Sequence, residues 1–378
     1  MSKVYLPTAE QFDITLGHLS KIAGVMSSKI DVSNWKGIQT AVKAGLAPTL
    51  FPVGTQFTVS HSEYGDMSYD VVAHDYYKSV NDANAHTMTL QCHDLLPNIM
   101  QVDNSEAFYY AEQALPAGTY NFTLTGGYNS WTAGTYQFTL TQTLPKGGQL
   151  FLNGSPSAAL TTSQVNVYAS AMTRTVTEKV SLSEGKSGTH LGTFGTELNS
   201  IGRCAYGSSN YKESAIRQFL NSDAAEGSVW SPQTKFDRPP SWVSACAGFM
   251  NGLDGEFLSI IGEVIVPCST NNLYESPDSS VTAGSVYTVN DRFYIASLRE
   301  ITGATGNSIY DGSELFPFYK GATDADLIKE RYWVPTNWRL RTPSIDGVSS
   351  MYRILNDGKA SASGASDAFG IAPVCTIV

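Results

Sequence analysis

YGSSNYKESAIRQFLNSDAAEGSVWSPQTKFDRPPSW, residues 206–242, changes its texture along its length. Ser214 to Asn221 reads as the front of a short helix, with Ile216, Phe219 and Leu220 inward and Arg217 placed to pair with an Asp or Glu. Lys235 to Trp242 reads as a fixed loop: Pro239 and Pro240 restrict the backbone, Arg238 bridges carbonyls or Asp237, and Trp242 anchors the loop in the core. Downstream, Ala247–Leu253 and Glu256–Ile260 read as helical, with Gly252-Leu253-Asp254-Gly255 as a helix end. Residues 262–266 and 292–296 read as strands. The chain stops in the apolar run 371–378, as a terminus that closes a sheet would. Short helices, short strands and much loop make this an α+β class.

Upstream, 183–200 is rich in Gly, Ser and Thr and reads as a linker. From 46 to 190 the pattern is β: short alternating runs such as Gln56–Val59 and Tyr69–Val72 are bounded by turn residues. AGTYNFTL at 117–124 is echoed by AGTYQFTL at 133–140, which predicts two antiparallel strands of one sheet. A further strand is expected at 174–182. Residues 7–30 read as a helix with a Thr8/Gln11 capping box. Its apolar positions Phe12, Leu16, Leu19, Ala23, Met26 and Ile30 step by heptad spacing, which predicts an oligomerisation seam. A second helix follows Ser33, with Trp35, Ile38 and Val42 on one face and Gly45 at its end. The expected domains are therefore an N-terminal helical assembly segment (1–45), a middle β-rich domain (46–190) and a C-terminal domain (191–378).

Charged residues make up only 15% of the chain, with Gly, Ser, Thr, Asn and Tyr in their place, which suits β-rich surface proteins with many turns. The net charge of −10, with no basic stripe, argues against nucleic acid as a partner. No stretch of 18 apolar residues predicts a membrane span, and the start MSKVYLPTAEQ lacks the pattern of a signal peptide. Five cysteines without a C-x-x-C pair read as buried free thiols rather than zinc ligands.

Residues 206–242, AGFMNGLDGEFLSIIGEV (247–264), YWVPTNWRLRTP (332–343) and FGIAPVCTIV (369–378) occur in an order that resembles an uncharacterised domain family of phages and prophages from gut bacteria. Its signatures are a SAIRQWLNS helix, a KFDRPPSW loop, a WWLRTP strand and a closing YGVAPA strand. The family is similar to the C-type-lectin fold, including the variable proteins mutated by diversity-generating retroelements. The segment preceding the domain also resembles this chain's N-terminal half. Departures are Phe219 in place of a tryptophan, Trp338-Arg339-Leu340-Arg341 in place of a tryptophan-leucine pair, the insertion TNW, and a divergent 269–290.

Candidate chemistry is sparse. His190 is the last histidine, so a Ser-His-Asp or Cys-His nucleophile cannot assemble from the rest of the C-terminal domain. His61, His74, His86 and His93 lie in the middle segment, and His74-Asp75 or His93-Asp94 could offer metal ligands, although structural or surface roles are the expectation. Cys92-His93-Asp94 alternates along a strand and cannot act as a triad alone. The pairs Asp254/Glu256 and Asp324/Asp326 are too weak a signal for glycosidase work. The Glu-Pro-Asn and Trp-Asn-Asp motifs of calcium-dependent lectins are absent, and Ser276-Pro277-Asp278 reads as a turn. No metal and no cofactor is expected.

The segment 338–368 mixes Tyr, Arg, Ser, Asn and Asp with glycine turns, a composition that paratopes favour. The resemblance implies that residues before the closing strand face a ligand. The expected contacts are Trp338, Arg339, Arg341, Asp346, Met351, Tyr352, Arg353, Asn356, Asp357 and Lys359. Together these readings imply a phage virion surface protein, made in the host cytoplasm. It would adhere to a host receptor, glycan or protein, through a lectin-like head, and assemble with other virion proteins as a homo-oligomer, a trimer favoured. The alternatives are a structural capsid or tail decoration protein and, less favoured, an intracellular enzyme.

Overall fold

The protein is represented by a computed structural model that describes residues 30–103, 209–231, 239–269, 286–345 and 350–378, with the strands and short pieces lying between 107 and 205. The expected helix over 7–29 with Phe12, Leu16, Leu19, Ala23 and Met26, the strand at 174–182, the linker at 183–200, Arg238 and Asp346 lie outside the described residues.

The chain is an α+β protein. Helix α1 (Trp35–Lys43) forms where expected. The Asn34 side chain caps it by accepting from the Gly37 amide, and Gly45 follows its end with φ 70°. Its apolar face packs against α4 (Gly255–Ile260) through Trp35 and Phe257, whose ring centroids are 4.8 Å apart. Gln39 donates to the carbonyl of the last residue, Val378, at 2.7 Å. Ile30 also packs on the core rather than presenting itself as part of a free seam. Residues 30–45 thus belong to the folded core, which corrects their assignment to a separate assembly segment.

After the single-turn α2 (Ala47–Leu50), strands β1 (Gln56–His61), β2 (Gly65–His74) and β3 (Met88–Cys92) form an antiparallel meander. This meander does not stay within its own domain. The last strand, β18 (Pro373–Ile377), pairs with β3 on one side and with β12 (Phe293–Ile295) on the other. The sheet order is β1-β2-β3-β18-β12. All five residues of β3 and all five of β18 are buried, as befits inner strands covered on both faces.

Between β3 and the remainder of this core comes a separate β module. Strands β4 (Ala107–Ala111), β7 (Gln149–Leu152), β8 (Val165–Tyr168) and β9 (Ile201–Ala205) form a sheet of order β8-β7-β4-β9. The echoed sequences form β5 (Gly118–Leu124) and β6 (Gly134–Leu140), antiparallel with Gly118 opposite Leu140, as the repeat predicts. Strands β4 and β9 pair from Ala107↔Ala205 to Ala111↔Ile201 and bring the two ends of the module together. Beside them the Ala215 amide donates to the Val102 carbonyl at 2.9 Å. The expected boundary near residue 190 is therefore revised. Residues 30–103 and 209–378 build one discontinuous domain, and the 107–205 strands are an insertion entered and left through one antiparallel stem. Sequence texture marked a boundary by local composition, whereas strand pairing ignores distance along the chain.

The rest of the core follows local rules. Helix α3 (Ala215–Leu220) is capped by Ser214 and buries Ile216, Phe219 and Leu220. Arg217 pairs with buried Asp291, with 2.7 Å between Nη2 and Oδ1. Trp242 packs on Phe219 and donates to the Gln101 carbonyl. Asp254 starts α4 instead of ending a helix, because its carboxylate accepts from the Phe257 amide at 2.8 Å. Strands β10 (Val264–Ser269) and β11 (Val286–Asp291) form a hairpin, and α5 (Leu298–Thr302) is closed by a Ser297/Glu300 capping box.

His61 ties the two halves of the domain. It is buried; its Nε2 lies 2.9 Å from the Phe249 carbonyl, and its Nδ1 accepts from the amides of Glu63 and Tyr64. Those partners require a neutral ring. Burial lowers the pKa of His61, and of His74, below the ordinary 6.5. As pH falls below 6.5 the unfolded chain takes up protons that the folded chain refuses, so folding stability declines on acidification. The urea midpoint is expected to fall between pH 7 and pH 5, with each such histidine contributing up to about 1.4 kcal/mol per pH unit. His61→Gln should reduce that slope; an unchanged slope would rule His61 out as its source.

Candidate binding face

Strands β15 (Trp338–Pro343), β16 (Ser350–Ile354) and β17 (Ala360–Gly364) form the antiparallel sheet that carries most of the expected contacts. Every residue of β15 is buried. Trp338 has no exposure, and its indole donates to the Leu327 carbonyl at 3.0 Å. Met351 is buried. Tyr352 is nearly so, its hydroxyl accepting from the Asn307 amide at 2.6 Å.

The two arginines of β15 are internal clamps. Arg341 holds Glu300 through two bonds, Nη1 to Oε2 at 2.7 Å and Nη2 to Oε1 at 2.6 Å, and donates to the carbonyls of Ile295 and Pro267. The Tyr77 hydroxyl also donates to Glu300. Arg339 donates to the carbonyls of Met351, Gly364 and Asp367 and lies 4.6 Å from the centre of the Phe369 ring. Arg353 is half-buried on the same ring at 4.4 Å. Trp338, Arg339, Arg341 and Met351 are therefore buried scaffold residues, while Tyr352 lines a cleft. A guanidinium can lie inside a protein when its donors find acceptors; Arg341 meets a carboxylate and two carbonyls, and both terminal nitrogens of Arg339 meet carbonyls.

Of the expected contacts, Asn356, Asp357 and Lys359 are exposed, on the turn between β16 and β17. Gly358 has φ 85°, and a Cβ there would lie 1.7 Å from the Asp324 carbonyl oxygen, so only glycine fits. Asp357 pairs with Lys359 at 2.8 Å. Behind the turn lies a cleft of about 430 Å³ between Leu298, Ile301, Asp324, Leu327, Tyr352 and Ala360.

The most exposed large apolar side chains stand just before β15. Strands β13 (Glu330–Arg331) and β14 (Val334–Pro335) form a hairpin whose two-residue turn is Tyr332-Trp333. Trp333 is 88% exposed, Tyr332 67% and Val334 59%. Both turn residues have positive φ, 51° and 67°. A primed hairpin turn asks for this, but normally obtains it from Asn-Gly. A bulky residue there costs on the order of 1–3 kcal/mol. The surrounding contacts hold the stem. Lys329 is buried and donates to the carbonyls of Cys92 and His93 at 2.8 and 2.7 Å. The Leu95 amide donates to the Glu330 carbonyl, and Arg331 donates to the Pro97 carbonyl while lying over the Tyr332 ring. Asn337, at the foot of the hairpin, accepts from the Asn356 amide at 2.7 Å and so joins it to the β16–β17 turn.

Sequence reading took YWVPTNWRLRTP as a family motif and passed over Tyr332 and Trp333. The available signal was two adjacent aromatics at a break in alternation, directly before Val-Pro. Asp324 and Asp326 are exposed on the approach to the hairpin, and hydrogen bonds from Thr323 hold the Asp326 carboxyl below its ordinary value. The Lys359 side chain and amide do the same for Asp357.

Among the described residues no three of His, Cys, Asp or Glu converge as metal ligands, and no helix is long and apolar enough to cross a membrane. His93 pairs with Asp70, with Gln56 bonded to both, and His86 pairs with Asp75. Burial pushes the Cys92 thiol up to about 12, which removes thiolate at neutral pH. Cys246, Cys268 and Cys375 are likewise free and buried.

This arrangement defines an α+β scaffold with arginine clamps inside and one anchored aromatic hairpin outside. The family described as Domain of unknown function (DUF6273) matches residues 189–378, half of the chain, and the chain belongs to that family. Neither a curated protein nor a solved structure matches it.

Proposed function

We propose that this protein is a non-catalytic adhesion protein of a phage virion surface, whose discontinuous domain is a lectin-like head that binds a host-cell receptor. Trp333 carries the proposal. A large apolar side chain 88% exposed in a left-handed turn is unfavourable in the free protein, and an anchored stem keeps it there. Contact with a partner recovers the exposed area. Function concentrates on loops set on rigid scaffolds, and the clamps of Arg339, Arg341 and Lys329 supply that rigidity. The resemblance to lectin-like phage domains supports the same role. Burial raises the Cys92 thiol, and the two ring nitrogens of buried His61 are both taken by backbone groups, which favours binding over covalent chemistry. The heptad positions Phe12 to Met26 would gather copies, a trimer favoured, beside other virion proteins, and so turn weak heads into avid ones.

Labelled full-length protein is expected to stain at least one strain in a flow-cytometry panel of gut bacteria. Trp333→Ala should lower the apparent affinity about thirtyfold, the roughly 2 kcal/mol typical of a central anchor. If no strain is stained, or Trp333→Ala stains like the parent, this face does not bind a receptor and the decoration role replaces adhesion.

A further inference from the structure

We infer that the Tyr332–Trp333 turn is a platform for neutral carbohydrate, taking the C–H face of one or two hexose rings on its aromatic surfaces. The inference rests on the adhesion function and narrows its receptor to an uncharged glycan. Three observations converge on it.

The first is shape and size. The tip offers two aromatic side chains on a two-residue turn and Val334 at the start of β14, all three exposed. An aromatic side chain buries about 150–250 Å², so the tip supplies roughly 500 Å² at most. A stable protein interface takes about 800 Å² from each partner. The patch is too small for that and matches a short oligosaccharide. Sugar rings present electropositive C–H groups on one face, and the faces of Trp and Tyr rings are electron-rich.

The second is charge. Asp324 and Asp326 lie on the approach to the hairpin, and Asp357 on the adjoining turn. Lys359 and Asp357 pair and offset each other, and Arg331 is held by the Pro97 carbonyl and the Tyr332 ring. The whole chain carries −10. Sialylated, phosphorylated or anionic-lipid ligands would approach a molecule of net negative charge. A neutral sugar carries no charge to be repelled, and the exposed Asn356 side chain offers an amide that can take hydroxyls.

The third is the turn itself. Asn-Gly would satisfy its geometry without strain, yet the position holds Tyr and Trp. Fold stability alone does not account for that choice.

The test uses the full chain on a printed array of neutral oligosaccharides of glucose, galactose, mannose and N-acetylglucosamine, beside sialylated and phosphorylated ones, followed by calorimetric titration of the best neutral binder. Binding is expected among the neutral set. Trp333→Ala should weaken it at least about thirtyfold. Trp333→Gly should abolish it while the melting temperature stays equal or rises, which separates loss of contact from loss of fold. A preference for anionic glycans, neutral binding that survives Trp333→Ala, or no glycan binding would overturn the proposal. In the last case, bacterial staining that depends on Trp333 and disappears after protease treatment of the cells would leave adhesion standing with a protein receptor.

Discussion

A chain of residues 189–378 alone is expected to stay unfolded, although it spans the matched family region. Strand β18 would lose β3, its partner from Val374↔Gln91 to Ile377↔Met88. The piece would also lose Tyr69, Val71, Val72, Met88 and Leu90, all fully buried in the shared core. Burying each such side chain contributes about 1.5–3 kcal/mol. Their sum is comparable to the entire stability of an ordinary domain, about 5–15 kcal/mol. Lys329 would keep a buried ammonium without the Cys92 and His93 carbonyls that receive it. The complementary experiment cuts the other way. Ala107 and Ala205 face each other across the β4–β9 stem, so replacing 108–204 with a short turn should leave a folded, cooperatively melting protein. Circular dichroism and one-dimensional proton NMR of both chains decide it. A native-like melt from 189–378 alone would refute the discontinuous domain.

Glu300→Ala is expected to be strongly destabilising, by about 3–5 kcal/mol, because it removes the carboxylate that Arg341 holds through two bonds and leaves its buried charge only Asp311, 3.8 Å away. The Glu300 and Arg341 side chains have 0% exposure, and water cannot take the place of the lost carboxylate. Glu300 also accepts from the Tyr77 hydroxyl and from the Ser297 amide at the start of α5, so its loss loosens three segments at once. Replacing the pair together, Glu300→Leu with Arg341→Met, should recover part of the loss, since two apolar groups carry no desolvation penalty. Urea melts of the two single variants and the double variant give the coupling directly. Additive losses in the double variant would mean the pair does not act as a unit. Arg341→Ala would consequently abolish adhesion by unfolding the head, and cannot serve as evidence of receptor contact.

Local signals were legible in the sequence where the physics is local. The echo of AGTYNFTL in AGTYQFTL specified an antiparallel pair, because alternation and turn residues act over a few positions. The inward face of Ile216, Phe219 and Leu220 and the pairing of Arg217 with an acidic partner followed from short-range pattern as well. Gly45 ended α1 for the same kind of reason. The α+β class needed only the order of such elements.

Tertiary structure alone decided which polar residues are scaffold and which are displayed. Trp333 and Trp338 lie five positions apart in one motif, yet one is 88% exposed and the other has no exposure. Nothing in their immediate neighbours separates them. Trp338 is enclosed because the Leu327 carbonyl, buried Lys329 and the paired strand β16 surround it, while Trp333 stands at the apex of a two-residue turn. Arg339 and Arg341 have the composition of a binding loop. Whether an arginine faces solvent or core depends on whether distant groups can meet its donors, and Glu300, Ile295, Pro267, Gly364 and Asp367 meet them here. Composition by itself marked these residues as candidates for recognition. The tertiary fold, by bringing the Glu300 carboxylate and the carbonyls of Ile295, Pro267, Gly364 and Asp367 to β15, determined that its two arginines bind the protein itself.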